Sequence, residues 1–274
     1  MRSESAAQAV RALLDVRPEV RVVDYRDADS LAAAAAGCDA AVHLVGILKE
    51  TRANRYEDAH EKPCRALADA ATKAGVRRIV CVSILGSRSD SSNRALASKG
   101  RAEEILLAGP VPALILRVPM VLGPGDPAAE ALRRQARAGR VTLVRGGATR
   151  EQPIAADDVV EAIVAGLSCP EPLREALDLA GPESLTHREL VMRAARVLGT
   201  SVSVRAVPYA LVAAFAWLAE RLLEDPPLTP AMLGVLEHDD AIDPAESSRR
   251  LGIRLTPLDE TLRRALRAGD EETR

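Results

Sequence analysis

Four short apolar runs in this chain end on residues able to do chemistry. Asp24-Tyr25 follows the run Val20–Val23, His43-Leu44-Val45-Gly46 closes the run from Ala40, Val82-Ser83 closes the run from Arg78, and Arg117-Val118-Pro119 ends the run from Ala113. Lys99 stands downstream of Ser83 in a helical pattern. In an open parallel sheet, ligands bind beyond the carboxyl ends of the strands, so a carboxylate, a hydroxyl and an ammonium at those ends are the groups a polar ligand would meet. Each also has an ordinary role to weigh. Asp24 can cap the Asp29-Ser30 turn, Ser83 can satisfy a strand end, Lys99 can be a solvated helix lysine, and His60 reads as a packed or capping histidine.

The elements that must position these residues follow from periodicity. The runs are short and β-branched, and helix-like stretches lie between them: Ser30–Ala36, Tyr56–Ala74 and Ala95–Ala108, the last stopped by Gly109-Pro110. Alternation of strand and helix predicts right-handed crossovers and a parallel sheet buried on both faces. Pro63 implies a kink or a helix start inside the second stretch, and Gly75 a C-cap. After Pro119, Gly123-Pro124-Gly125-Asp126-Pro127 makes a turn that opens a second part of the chain. Further strands are expected over Val141–Val144 and Ala176–Leu179. A helix capped by Asp157 or Asp158 should run to Leu167, and a Thr186/Glu189 capping box should start a helix through Leu198. The expected division is 1–125 and a smaller α/β lobe over 126–274, interleaved with it.

With 274 residues, 47% of them hydrophobic, the chain can bury a substantial core. Only 2% of residues are aromatic, so Ala, Leu, Val and Ile must fill it. A net charge of −2 gives no field to gather nucleic acid, and the cluster Arg133, Arg134, Arg137 and Arg140 reads as a solvated helix face. The widely spaced Cys38, Cys64, Cys81 and Cys169 suggest no metal site and read as buried reduced thiols in a cytoplasmic setting. The N-terminus carries no apolar stretch typical of a secretory signal. The longest apolar run, Tyr209–Ala219, is too short to span a bilayer; it is read first as a buried helix and second as a membrane-surface contact.

Several segments, in order and spacing, resemble the atypical extended short-chain dehydrogenases of the NAD-dependent epimerase/dehydratase type. They are Val23-Asp24-Tyr25-Arg26-Asp27, Gly37 through Gly46, and Leu116 through Asp126. Gln152 through Val159, Leu179-Ala180-Gly181-Pro182-Glu183 and Pro226-Pro227-Leu228-Thr229 narrow the resemblance to the branch that includes the Rossmann-type accessory subunit of respiratory complex I. The resemblance implies a Rossmann-like, doubly wound parallel sheet and an NAD or NADP cofactor. Asp24 would accept from the adenine amino group with Tyr25 beside the ring. Leu44, Val45 and Gly46 would pass beneath the cofactor. Ser83 would face the reacting carbonyl and Lys99 the nicotinamide ribose, with Pro119, Met120 and Val121 near the nicotinamide. It also implies a small-molecule or quinone-related substrate, and a protein partner or a peripheral contact with an inner membrane.

Two departures accompany the match. Four residues before Lys99, at the place of the family's catalytic tyrosine, stands Ala95. Such a tyrosine moves a proton as hydride moves, which contributes about 10²–10⁴-fold, and an alanine cannot. Of Tyr25, Tyr56 and Tyr209, which stand elsewhere, only Tyr56, in the loop after the second run, is placed to approach the position of the missing tyrosine. Secondly, no glycine precedes Gly37, and Ala6–Leu14 reads as a helix, so the first strand and its glycine-rich phosphate loop have no counterpart. The expectation is either a start upstream of Met1 or a degenerate homologue that pairs its sheet edge with something else, binding NAD(P)H more weakly than millimolar. Three functions follow: a weakly or non-catalytic NAD(P)-binding protein, an active NAD(P)-dependent oxidoreductase or epimerase with a longer N-terminus, and a nucleotide-free interaction module. Arg145, Arg150 and the Arg133–Arg140 face could take an anionic substrate, or be plain solvated surface.

Overall fold

The computed structural model describes residue 8 and residues 19–271. The helix expected over Ala6–Leu14 lies outside the described residues, Gln8 apart. Asp27, accepting from the Asp29 amide at 3.1 Å, starts α1 (Ala28–Ala35), which leads to β1 (Ala40–His43). A π-helical turn, Glu57–Glu61, runs into α2 (Lys62–Ala74). Pro63 sits in the first turn of α2, where a missing amide hydrogen costs nothing, and Gly75 ends the helix at φ 73°. The α-helix therefore starts at Pro63's own turn rather than at Tyr56. Next come β2 (Arg78–Ile84), α3 (Arg94–Ala108), capped by Asn93, and β3 (Ala113–Val118).

The chain continues through β4 (Val121–Leu122), α4 (Pro127–Arg137), β5 (Arg140–Val144), β6 (Arg150–Glu151), β7 (Ile154–Ala155), α5 (Ala156–Ser168) and β8 (Glu175–Asp178). Then follow β9 (Leu185–Thr186), α6 (His187–Val197), β10 (Ser203–Val207), α7 (Tyr209–Leu222), α8 (Pro230–Leu236), α9 (Ala245–Leu251) and α10 (Leu258–Glu271). Asp126 caps α4 through the Ala128 and Ala129 amides, and the capping box of Thr186 and Glu189 starts α6.

The main sheet has the order β1-β2-β3-β8 with every pair parallel. Its side chains alternate with period two. Ile79, Cys81 and Ile115 join a core under α2 and α3, while Val80, Leu114 and Leu116 join one with Val159 and Ala162 of α5. A doubly wound sheet needs this two-sided burial. A third core packs α4, α6 and α10 around Leu132, Leu190, Val191 and Leu262. β5 pairs with β10 beside it.

Some expectations are corrected. Val20–Val23 forms no strand of this sheet, because a β-branched run becomes a strand only with a ladder beside it and the described sheet ends at β1. Neither Asp157 nor Asp158 caps α5, whose N-cap position is Ala155; the Asp158 carboxylate instead accepts from the Thr256 amide at 2.8 Å and hydroxyl at 2.6 Å, tying α5 to the approach to α10. Arg133 is buried beside Glu130 at 2.9 Å, whereas Arg134, Arg137 and Arg140 are exposed. Cys64 and Cys81 are buried, but Cys38 is exposed and Cys169 half-buried. The apolar helix α7 buries only Ala216 and Ala219 and turns its large side chains outward.

Candidate functional site

The carboxyl ends of β1, β2 and β3 border two cavities. One, of about 410 Å³, is lined by Val22 through Arg26 and by Val45, Gly46 and Ile47. The other, of about 440 Å³, is lined by Leu44, Gly46, Ile47, Ser83, Lys99, Pro119 and Met120, and by Glu151, His238 and Asp240 from later elements. Gly46 and Ile47 line both, so the two cavities lie side by side at the end of β1. Of the residues expected at the site, Val121 alone lines neither, being engaged in β4 opposite Ile154 of β7.

Gly46 is the pinch point. A Cβ at this position would stand 3.2 Å from Lys99 Nζ and 3.6 Å from His60 Nε2, so the backbone lies close to the ammonium and a side chain here would press on the end of Lys99. Lys99 is buried on α3, and its Nζ lies 3.4 Å from the Val82 carbonyl oxygen. Two buried histidines flank it. Burial, helped by the charge of Lys99, lowers both His43 and His60 to a pKa of about 4, leaving the ammonium beside two neutral rings. His60 Nε2 accepts from the Ile47 amide at 3.1 Å, fixing the loop after β1, a packing role as expected.

Ser83 is 3% exposed, and its hydroxyl donates to Glu103 of α3. Arg117 donates twice to the other carboxylate oxygen of Glu103, at 2.8 and 2.6 Å. Burial pushes the Glu103 carboxyl up, against the pull of Arg117 and Ser83. Asp24 is likewise engaged: Arg26 donates to it from Nε at 3.0 Å and from a terminal nitrogen at 2.9 Å. Asp27, not Asp24, caps the following helix.

Ala95 is fully buried and borders neither cavity. Tyr56 does not replace the missing phenol, since its hydroxyl donates to the Leu48 carbonyl at 3.0 Å and burial raises its pKa to about 12. Arg145 is taken by Glu237 at 2.9 Å and Arg150 by the Ser184 carbonyl at 2.7 Å, so both serve the fold of the later segments.

Three acidic or basic groups at the second cavity escape a reading of the sequence. His238 Nδ1 lies 3.0 Å from Asp240 Oδ1, which raises its pKa, and its Nε2 packs on Gly86. Glu151 is buried 3.3 Å from His187 Nδ1, and burial raises its carboxyl. Among the described residues no cluster has the makings of a metal site.

A family model described as NAD(P)H-binding matches residues 1–170, more than half of the chain. The chain belongs to this NAD(P)H-binding family. The mitochondrial NADH dehydrogenase [ubiquinone] 1 alpha subcomplex subunit 9 of Arabidopsis thaliana is 34% identical over 61% of this chain and 42% of that protein. Ceramide reductase of Caulobacter vibrioides is 29% identical over 71% of this chain and 61% of that protein. The chain thus spans about half the length of the curated relatives it matches. Among solved structures, a dTDP-glucose 4,6-dehydratase from Streptomyces venezuelae with NAD bound superimposes with a TM-score of 0.71 at 22% identity, covering 98% of this chain and 84% of that one. The NAD(P)H-binding fold is therefore the Rossmann-like fold of the epimerases and dehydratases.

Proposed function

We propose that this member of the NAD(P)H-binding family holds NAD or NADP along the two adjacent cavities and has little or no turnover of its own. The position of the two cavities side by side at Gly46 and Ile47 carries this reading. Asp24 and Tyr25 border the end suited to adenine, once Asp24 exchanges Arg26 for a base. The Leu44–Gly46 backbone runs beneath the cofactor, Lys99 serves the ribose, and Pro119 and Met120, followed by Val121, border the nicotinamide end. The bound nicotinamide would supply hydride chemistry. Ala95, sealed in the core, supplies no proton, and Ser83 is held by Glu103. The nucleotide would then serve structure or redox sensing, and the likeness to a subunit of NADH dehydrogenase supports a protein partner.

A second reading, an active oxidoreductase or epimerase, is favoured by His238 and Asp240, which bring a protonatable pair to the cavity of Ser83 and Lys99. The ceramide reductase relative points the same way.

Titration of the chain with NADH and NADPH decides the first step. Saturation below about 10 mM supports nucleotide binding; a flat response leaves the nucleotide-free module. Turnover of a carbonyl substrate, abolished by Lys99→Ala, would establish the second reading over the first.

A further inference from the structure

We infer that the second cavity takes an apolar molecule carrying a protonated amine, and that Glu151 is the residue that selects it. The inference rests on the reading above only in setting the nicotinamide at the Pro119–Met120 side, with the amine beyond it. Much of the cavity wall is apolar, formed by Leu48, Leu85, Val118, Met120, Val235 and Leu236. On such a wall a few polar groups decide which ligand enters and how it is turned. Glu151 is the polar group that the fold itself uses least. It is 8% exposed, it lies at the end of β6, and no hydrogen bond from a described residue reaches its carboxylate. Its near neighbour, His187 Nδ1 at 3.3 Å, is itself a buried atom without a hydrogen bond. The cause lies on the other side of that ring. His187 Nε2 is 3.2 Å from Gln135 Oε1, an oxygen that can only accept, so Nε2 keeps the proton of the neutral ring and Nδ1 has none to give.

The surroundings of Glu151 set the sign of the ligand. Asp240 lines the same wall, and Asp240 and Glu237 both act by charge on the Glu151 carboxyl. The cations nearby are already taken. His238 Nδ1 holds Asp240 at 3.0 Å, and its Nε2 would stand 2.6 Å from a Cβ at Gly86, so the ring is held against that turn. Arg145 holds Glu237 at 2.9 Å. Lys99 Nζ lies at the main sheet, 3.4 Å from the Val82 carbonyl oxygen. Glu151 is thus a buried carboxylate beside two others, with no lysine or arginine of its own. A buried carboxylate is stabilised by donors and by opposite charge. An ammonium brings both, as three N–H donors and a positive charge, whereas a hydroxyl brings one donor and no charge. A ligand carboxylate would meet three of its own kind. No group of described residues has the makings of a metal site, and the apolar wall calls for carbon beside the charge.

Hexylamine, hexan-1-ol and hexanoate share one apolar body and differ in the head group. Each is titrated into the full chain near neutral pH, with and without NADH, and followed by NMR. The amine is expected to bind about tenfold or more tightly than the alcohol, the worth of one hydrogen bond to a charged group, with hexanoate the weakest. Glu151→Gln keeps the shape and loses the charge, so it should remove most of that advantage and leave the alcohol unchanged. The chain has four histidines, whose ring signals can be followed in the wild type. Hexylamine should move those of His187 and His238, beside Glu151 and Asp240, more than those of His43 and His60. An alcohol that binds as tightly as the amine would overturn the inference. So would an amine preference that survives Glu151→Gln, or a His187 signal that stays in place. The histidine signals need no variant, so a misfolded Glu151→Gln still leaves a decision. Amine selection without saturation by NADH would defeat the nucleotide reading alone; saturation by NADH without amine selection would defeat this inference alone.

Discussion

Glu103 of α3 and Arg117 of β3 are joined by two hydrogen bonds, at 2.8 and 2.6 Å, while the second Glu103 oxygen takes the Ser83 hydroxyl of β2. One carboxylate thereby locks a helix to two neighbouring strands beneath the candidate site. Glu103→Ala would leave a half-buried guanidinium short of its main partner. Loss of one member of a buried pair costs about 3–5 kcal/mol, and the partial exposure of Arg117, with Asp178 3.5 Å away, places the expected loss near the lower end. Ser83→Ala should cost about 1 kcal/mol. Urea unfolding of both variants checks the order; a Glu103→Ala loss no larger than that of Ser83→Ala would remove the lock.

Gly46→Ala should separate binding from stability. Its nearest neighbour would be the flexible end of Lys99 at 3.2 Å, which can shift, so the unfolding midpoint should hardly move. The added methyl nevertheless stands where both cavities are lined by the same backbone. NADH affinity measured by fluorescence is expected to fall about tenfold, or 1.4 kcal/mol; unchanged affinity would mean that nucleotide does not pass this point.

Restoring a tyrosine at residue 95 should not restore a catalyst. Ala95 has no exposed surface, so Ala95→Tyr forces a ring into a filled core. Overpacking of this kind costs about 1–3 kcal/mol. A lowered thermal midpoint with no gain in NADH oxidation is the expected outcome, and a stable, active variant would show that the core has kept room for the phenol.

The two buried histidines predict a loss of stability in mild acid. Both are bases whose folded pKa, about 4, lies below the ordinary value of about 6.5. The unfolded chain therefore takes up protons that the folded chain refuses. Their stabilising contribution is present above pH 6.5 and is lost as pH falls toward 4, on the order of 3 kcal/mol for each ring. Buried Glu103 and Glu151, whose pKa values are raised, act in the opposite sense. Comparison of wild type with His43→Gln and His60→Gln, from pH 7 to 4.5, cancels the carboxylates. The stability difference between wild type and each variant should shift toward the variant as pH falls; a difference independent of pH would place the rings in contact with water.

Local rules made much of this structure readable. The β-branched runs at Ala40, Arg78 and Ala113 became β1, β2 and β3, and Pro127, Gly75 and the Thr186/Glu189 pair mark helix ends because caps depend on residues within one turn. What depends on distant partners was not readable. Val20–Val23 has strand composition but joins no ladder of the main sheet. Asp158 looked like a cap and is claimed by Thr256. The apolar composition of α7 indicated a covered helix without indicating a cover. At the site, Gly46 stands just after a strand and Lys99 in the helix that follows one, and the family resemblance singled out both. It could not lead to Glu103 as the holder of Ser83, or to His238, which reaches the cleft only when α8 packs against α3.

The core around α4 and α6 is sealed by Leu258, Leu262 and Leu266 of α10. Protein synthesis delivers those side chains after the rest of this core. While the ribosome is still at work, Leu132, Leu190 and Val191 have no cover, and this half of the molecule must wait as sticky, unfinished surface until α10 emerges. The main sheet faces a shorter delay, since β8 is made well before α10. In the growing chain the strands of the main sheet are thus all made before the helix that covers this core.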